Sequence, residues 1–145
     1  MTYGQAAVSQ SSDDVGIVNH VLGVLSGRDI DVCSQPERDF WLVAQLDAQV
    51  NNGGFDQFFF NGGGATAFPT FESLQRLGAS EAAGLLRDAI EIVRLPSVAP
   101  DEWLHDATFR ERQALDSLDT RFYALTPDLY AILARNVREH ADSFR

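Results

Sequence analysis

The chain has 145 residues, 45% of them apolar and ten of them phenylalanine; this is enough for one ordinary domain with a sizeable core, and no apolar run is long enough to span a bilayer. Its 21 acidic residues outweigh 11 basic ones, all arginine, for a formal net charge of −10. That balance disfavours direct binding to nucleic acid or to an anionic membrane, because phosphate contacts need a positive surface. Cys33 is the only cysteine, which excludes an internal disulfide and a multi-cysteine zinc site and fits a reducing, cytoplasmic setting.

Residues 1–12 (MTYGQAAVSQSS) have neither the basic start nor the apolar run of a secretory signal and read as a polar tail, which leaves 13–145 as a single domain. From Asp13 onward apolar residues recur at helical spacing in almost every segment, predicting an all-α fold of about six to eight helices. Asp13 and Asp14 can cap a first helix whose stripe is Val15, Val18, Leu22 and Leu25, ended by Gly27. Ser34 and Glu37 in SQPE have the capping-box spacing, with Pro36 in the first turn, and open a helix that turns Phe40, Val43, Leu46 and Val50 inward. That helix must stop at Asn52-Gly53-Gly54. Phe55, Phe58 and Phe59 then share one face of a two-turn helix before Asn61 and Gly62-Gly63-Gly64 break the chain again. A helix over 66–77 faces Phe68, Phe71, Leu74 and Leu77 inward, and Ser80 caps another, carrying Leu86, Ala89, Ile90 and Val93, that stops near Pro96. Pro100, Asp101 and Glu102 open a further helix; whether it runs unbroken to Leu125 stays open, with Leu115, Leu118, Phe122 and Leu125 on one face. Thr126-Pro127-Asp128, cap then proline then acid, predicts the start of a last helix using Leu129, Ile132, Leu133, Val137 and Phe144.

The stretch VNNGGFDQFFFNGGG, residues 50–64, packs two glycine clusters around four phenylalanines. Glycine takes the left-handed conformation after a helix end without steric penalty, and a second glycine lets the backbone approach a neighbouring helix closely. Gly53 and Gly54 therefore read as a corner that Phe55 pins to the core, with Asn51, Asn52, Gln57 and Asn61 available to satisfy open backbone groups at the helix ends. Phe60 lies off the face shared by Phe55, Phe58 and Phe59, so either this helix is buried on two sides or an aromatic ring lies exposed beside amides, as on a protein-binding surface. GGGATAFP follows no strand and lacks the lysine of a phosphate loop.

VNNGGFDQFFFN, then a helix ending in LGA, then AAGLLRDAI, LDSLDTRFYAL and a final helix near Phe144 together resemble the bacterial DNA-mimic protein family over roughly residues 35–145. NNGGF-x-Q-F-x-x-N is the specific part of the match, and LD-x-x-F-Y supports it. The resemblance implies an all-helical, often dimeric fold whose acidic surface imitates double-stranded DNA and occupies the DNA-binding face of a transcriptional repressor. Members often carry an acid just before the valine of the motif, where this chain has Gln49.

Duplex DNA presents one charge per ~1.7 Å of axis, so a net of −10 falls short for a monomer and a homodimer would double it. Six i, i+4 pairs (Glu72 with Arg76, Arg87 with Glu91, Asp106 with Arg110, Arg112 with Asp116, Arg135 with Glu139, Arg138 with Asp142) can neutralise much of the C-terminal half. Residues 1–60 hold eight acids against two arginines, so a partner-facing row should draw on Asp29, Asp31, Glu37, Asp39, Asp47 and Asp56. Asp47, beside the apolar stripe of its helix, can instead hydrogen-bond at the corner. His20, His105 and His140 are far apart in sequence, and the Glu102–Asp106 pair has no second metal-binding half, so no catalytic residue, metal site or cofactor is expected. The expected function is an acidic protein-binding module, a DNA mimic directed at a transcriptional regulator. The alternative is a non-mimic interaction or immunity-like protein that grips its partner through the aromatic corner.

Overall fold

The computed structural model describes residues 11–144, so the expected tail lies, for its first ten residues, outside the described part. Among the described residues the fold is all-α, without strands: α1 (Ser11–Leu25), α2 (Gln35–Phe58), α3 (Gly64–Arg76), α4 (Ser80–Val93), α5 (Pro100–Asp106) and α6 (Phe109–Glu139). Short helical turns at Ile30–Val32, Phe59–Gly63 and Ala141–Ser143 complete it. Five of these helices have 13 to 31 residues and α5 only seven, fewer full helices than the six to eight expected. The reason is α6. It starts on a capping box in which the Thr108 hydroxyl accepts the Glu111 N–H and the Glu111 carboxylate accepts the Thr108 N–H, and then runs through Pro127 without a break. Thr126 is therefore no cap; its hydroxyl donates to Asp47 Oδ1 at 2.9 Å across the interface with α2.

α6 lies along α1, α2 and α4, and α2 packs on α3, so the long C-terminal helix is the spine of the fold. Phe40, Val43, Leu46 and Val50 are fully buried on α2, as their spacing predicts, and the SQPE capping box is formed. α1 is rolled relative to expectation: it begins before Asp13 and Asp14, which sit in its first turn, and it buries Ile17, Val18, Val21 and Leu25 while Val15 is 38% exposed. α3 starts at Gly64 and turns small residues inward, Ala67, Thr70 and Ser73 beside Leu74, which leaves Phe68 45% exposed. Close approach to α2 demands that small face, because the Ser73 hydroxyl donates to Asp39 Oδ1 at 2.7 Å. Ser80 is the first residue of α4, with Ala79 at the cap position and no side chain capping it. Phe55, Phe122, Leu129 and Leu133 centre the core, and Phe144 closes its end by meeting Phe40 edge-on at 5.8 Å.

Candidate partner-binding surface at the glycine-bracketed corner

The corner is built by two glycines with different tasks. Gly53 (φ −155°, ψ 16°) and Gly54 (φ 85°, ψ 177°) interrupt α2, and only Gly54 occupies the region that L side chains avoid. A Cβ on Gly54 would stand 2.4 Å from Asp119 Oδ2, so the backbone passes against α6 with no room for a side chain. One residue on, the Phe55 N–H donates to Asp119 Oδ1 at 2.8 Å, and this carboxylate satisfies the donor exposed by the broken helix. The Phe55 ring meets Phe122 edge-on at 5.6 Å and stacks on Phe59 at 6.3 Å, while Phe58 meets Phe59 at 5.3 Å. NNGGF and LD-x-x-F-Y, 64 residues apart at the Phe55–Asp119 bond, are thus two halves of one joint. Sequence reasoning missed Asp119; the available signal was its position one turn before Phe122, flanked by Leu118 on the buried face.

The amides divide their work. Asn51 Nδ2 donates to the Asp47 carbonyl (2.9 Å), to Asp47 Oδ1 (3.0 Å) and to Thr126 Oγ1 (2.9 Å), so Asp47 is a corner tie. Gln57 Nε2 and Asn61 Nδ2 do not close helix ends; both donate to Gln49 Oε1, at 2.9 and 3.1 Å. Asn52 is exposed. Phe60 is 59% exposed, which resolves the two readings of its position in favour of a surface ring. It borders an open groove of about 450 Å³ lined by Gly53, Asp56, Gln57, Phe60, Asn61 and Leu104.

The six acids of the expected row lie in different places. Asp29 and Asp31 are exposed at the Ile30–Val32 turn, where Asp29 accepts the Asp31 N–H at 2.9 Å, and Asp56 is half-buried at the corner. Glu37, Asp39 and Asp47 are buried and face neighbours of their own chain. Glu37 takes Arg28 at 2.9 Å as well as the Ser34 N–H, and Asp39 takes Ser73, Gln35 and the Nε and Nη2 donors of Arg76 at 2.7 to 3.2 Å. Burial pushes the Asp47 carboxyl up, against the pull of Thr126 and Asn51. Of the i, i+4 pairs, Arg135–Glu139 forms at 3.8 Å, whereas Arg76 reaches Asp39 and Arg138 reaches Asp14 at 3.0 Å, tying separate helices together. Arg112 donates to the Leu104 carbonyl, and Arg94 pairs with Glu111.

At the corner the negative charge is reinforced by α6. Asp119, 9% exposed, is pushed up to about 6, first by burial and then by Asp56 and Asp116, with the Phe55 N–H opposing. Burial and the same three carboxylates raise the Tyr123 hydroxyl, and this ring is 43% exposed. Asp56, Asp116 and Asp119 therefore share one field, with the exposed Tyr123 ring on α6 and the exposed Phe60 ring in the turn that follows α2. His105 is exposed and pairs with its neighbour Asp106 at 2.7 Å, and Glu102 and Asp106 are exposed on α5. Among the described residues no three His, Cys, Asp or Glu side chains are grouped to hold a metal, and no helix is long and apolar enough to cross a membrane.

A search of curated proteins and a search of solved structures each return no match. The family model described as DMP19-like protein matches residues 32–140, a span that contains the glycine-bracketed corner, the Asp119 joint and all of α6. The chain belongs to the DMP19-like family of DNA-mimic proteins.

Proposed function

We infer that this protein is an acidic protein-binding module that imitates double-stranded DNA and occludes the DNA-binding face of a transcriptional regulator. The observation that carries this reading is the concentration of carboxylates at the family motif: Asp56 from the corner and Asp116 from α6 lie near enough to Asp119 to add to the rise that burial imposes on its carboxyl. A field of that kind attracts the arginines and lysines that a regulator otherwise presents to phosphates. Asp29 and Asp31 add exposed carboxylates at the Ile30–Val32 turn; from inside, Asp39 fixes α2 against α3, Asp47 fixes it against α6, and Glu37 holds the start of α2 through Arg28 and Ser34. The protein works in the cytoplasm without a cofactor or direct contact to nucleic acid, and a homodimer would double the charge offered to the partner.

The exposure of Phe60 favours a second reading, a non-mimic interaction or immunity-like protein that binds through the aromatic corner. Capture of partners from lysate at low salt and at ~0.5 M, where the Debye length falls to ~4 Å, separates the two. The mimic reading expects a DNA-binding protein held only at low salt and weakened by the double reversal Asp29→Arg, Asp31→Arg. A partner retained at high salt, indifferent to that reversal and lost on Phe60→Ala, would establish the second reading instead.

A further inference from the structure

We propose that the groove beside Phe60 is a receptor for a single arginine side chain of the protein partner. The inference deepens the protein-binding reading given above and rests on it. The decisive feature is the orientation of the two amides. Gln57 and Asn61 each donate an N–H to Gln49 Oε1, at 2.9 and 3.1 Å, which fixes the two amides with Gln57 Oε1 and Asn61 Oδ1 turned away from Gln49 as acceptors. Neither oxygen accepts a hydrogen bond from any of the described residues, and Gln57 Oε1 lies over Gly53, where a Cβ would come within 2.0 Å of it. Asp56 lines the same groove; its Oδ1 accepts the Gln57 N–H at 2.8 Å and its Oδ2 accepts nothing among the described residues. The rim therefore presents the Gln57 and Asn61 carbonyl oxygens and the charged Asp56 carboxylate as acceptors beside the exposed face of Phe60.

That set selects a ligand by its donors. A guanidinium has five N–H donors, no acceptor and a flat cationic face that stacks on an aromatic ring, so it can answer Asp56, Gln57, Asn61 and Phe60 together. An ammonium is a compact point donor that cannot span such a rim, and a hard divalent cation needs six or more oxygens. Arg112 donates to the Leu104 carbonyl but does not line the groove. Gly53 keeps the floor open, because any side chain there would displace Gln57. Gln49 is a positioning residue: it contacts no ligand and fixes which ends of the two amides face out.

The test uses the full chain and three capped amino acids, N-acetyl-arginine amide and its lysine and citrulline counterparts, followed by NMR at the side-chain amides of Gln57 and Asn61 and the Phe60 ring. Arginine should give saturable shifts at these three residues, with an affinity on the order of 10 mM, and the lysine and citrulline probes should bind several-fold more weakly. Asp56→Asn should weaken arginine binding about three- to tenfold, whereas Asp29→Asn, which removes the same charge elsewhere, should change it less than about twofold. Phe60→Leu tests ring stacking without emptying the site, and Gln49→Leu should release both amides and weaken binding at an unchanged net charge. Equal response to all three probes, equal effects of Asp56→Asn and Asp29→Asn, or no saturation by ~100 mM would overturn the proposal. The two readings fail separately: loss of arginine binding with salt-sensitive capture of a DNA-binding protein intact removes only the groove, and the reverse removes only the mimic.

Discussion

Replacing Asp119 with Asn keeps an oxygen for the Phe55 N–H, 2.8 Å away, and removes a charge held in a nearly closed site beside Asp56 and Asp116. The folded chain holds the Asp119 proton until about pH 6, whereas the unfolded chain releases it near the ordinary 3.8. Between those values the folded state binds more protons than the unfolded state, so the contribution of this group to stability falls as pH rises from about 4 to 6 and then levels off. At ~1.4 kcal/mol per pH unit, the gap between 3.8 and about 6 gives up to about 3 kcal/mol. Asn does not titrate, so the stability of the Asp119→Asn chain relative to the parent should improve by that amount across the window. Asp47 titrates in the same direction but is common to both chains and cancels. Urea unfolding followed by helical circular dichroism at pH 4, 5, 6 and 7.5 measures the difference directly. A difference that is flat with pH, or that shrinks as pH rises, would refute the assignment of Asp119 as a buried, mutually repelled carboxylate.

Three further substitutions probe the same architecture. Gly54→Ala forces a side chain into φ 85° and against Asp119 Oδ2, and should cost about 2 to 3 kcal/mol; an unchanged melting temperature would show that the corner relaxes freely. Asp39→Ala strands Ser73 and Arg76, and should cost about 2 kcal/mol after allowance for the partly exposed Arg76, while Asp31→Asn at the surface should stay within ~0.5 kcal/mol. Equal melting temperatures for those two variants would contradict the division between interior and surface acids. Thr126→Val removes the hydroxyl that donates to Asp47 and receives Asn51, with an expected loss of about 1 to 2 kcal/mol in chemical denaturation; no loss would mean that the tie between α2 and α6 is dispensable.

Helical periodicity made the all-α class and the inner face of α2 legible, because Phe40, Val43, Leu46 and Val50 combine an unambiguous spacing with a capping box. Gly53 and Gly54 marked the corner for the same local reason, since Gly54 stands at φ 85°, which L side chains avoid. Local signals failed where tertiary packing overrode them. Thr126-Pro127-Asp128 has the make-up of a helix start, yet the Thr126 hydroxyl is taken by Asp47 from α2, and proline is carried within the long helix. Phe68 is apolar and sits on a helical stripe, but α3 approaches α2 too closely for a ring, and Ala67, Thr70 and Ser73 occupy the contact. The acids were the least legible: Asp29 and Asp39 look alike in sequence, and only the positions of Arg76 and Ser73, more than thirty residues further along, bury the second. Asp119 left only the signal of its position beside Leu118 and before Phe122, because its partner is the backbone N–H of Phe55, which no residue type announces.

The measurement closest to the central claim is competition for a captured regulator between this protein and the regulator's own DNA, followed by electrophoretic mobility at ~0.1 M and ~0.5 M salt. Occlusion predicts that added protein releases free DNA at the lower salt, that release fades at the higher salt as exposed charges are screened, and that Asp29→Arg with Asp31→Arg weakens it. A stable complex containing regulator, DNA and this protein together would contradict the account, because a DNA mimic and DNA cannot share one face.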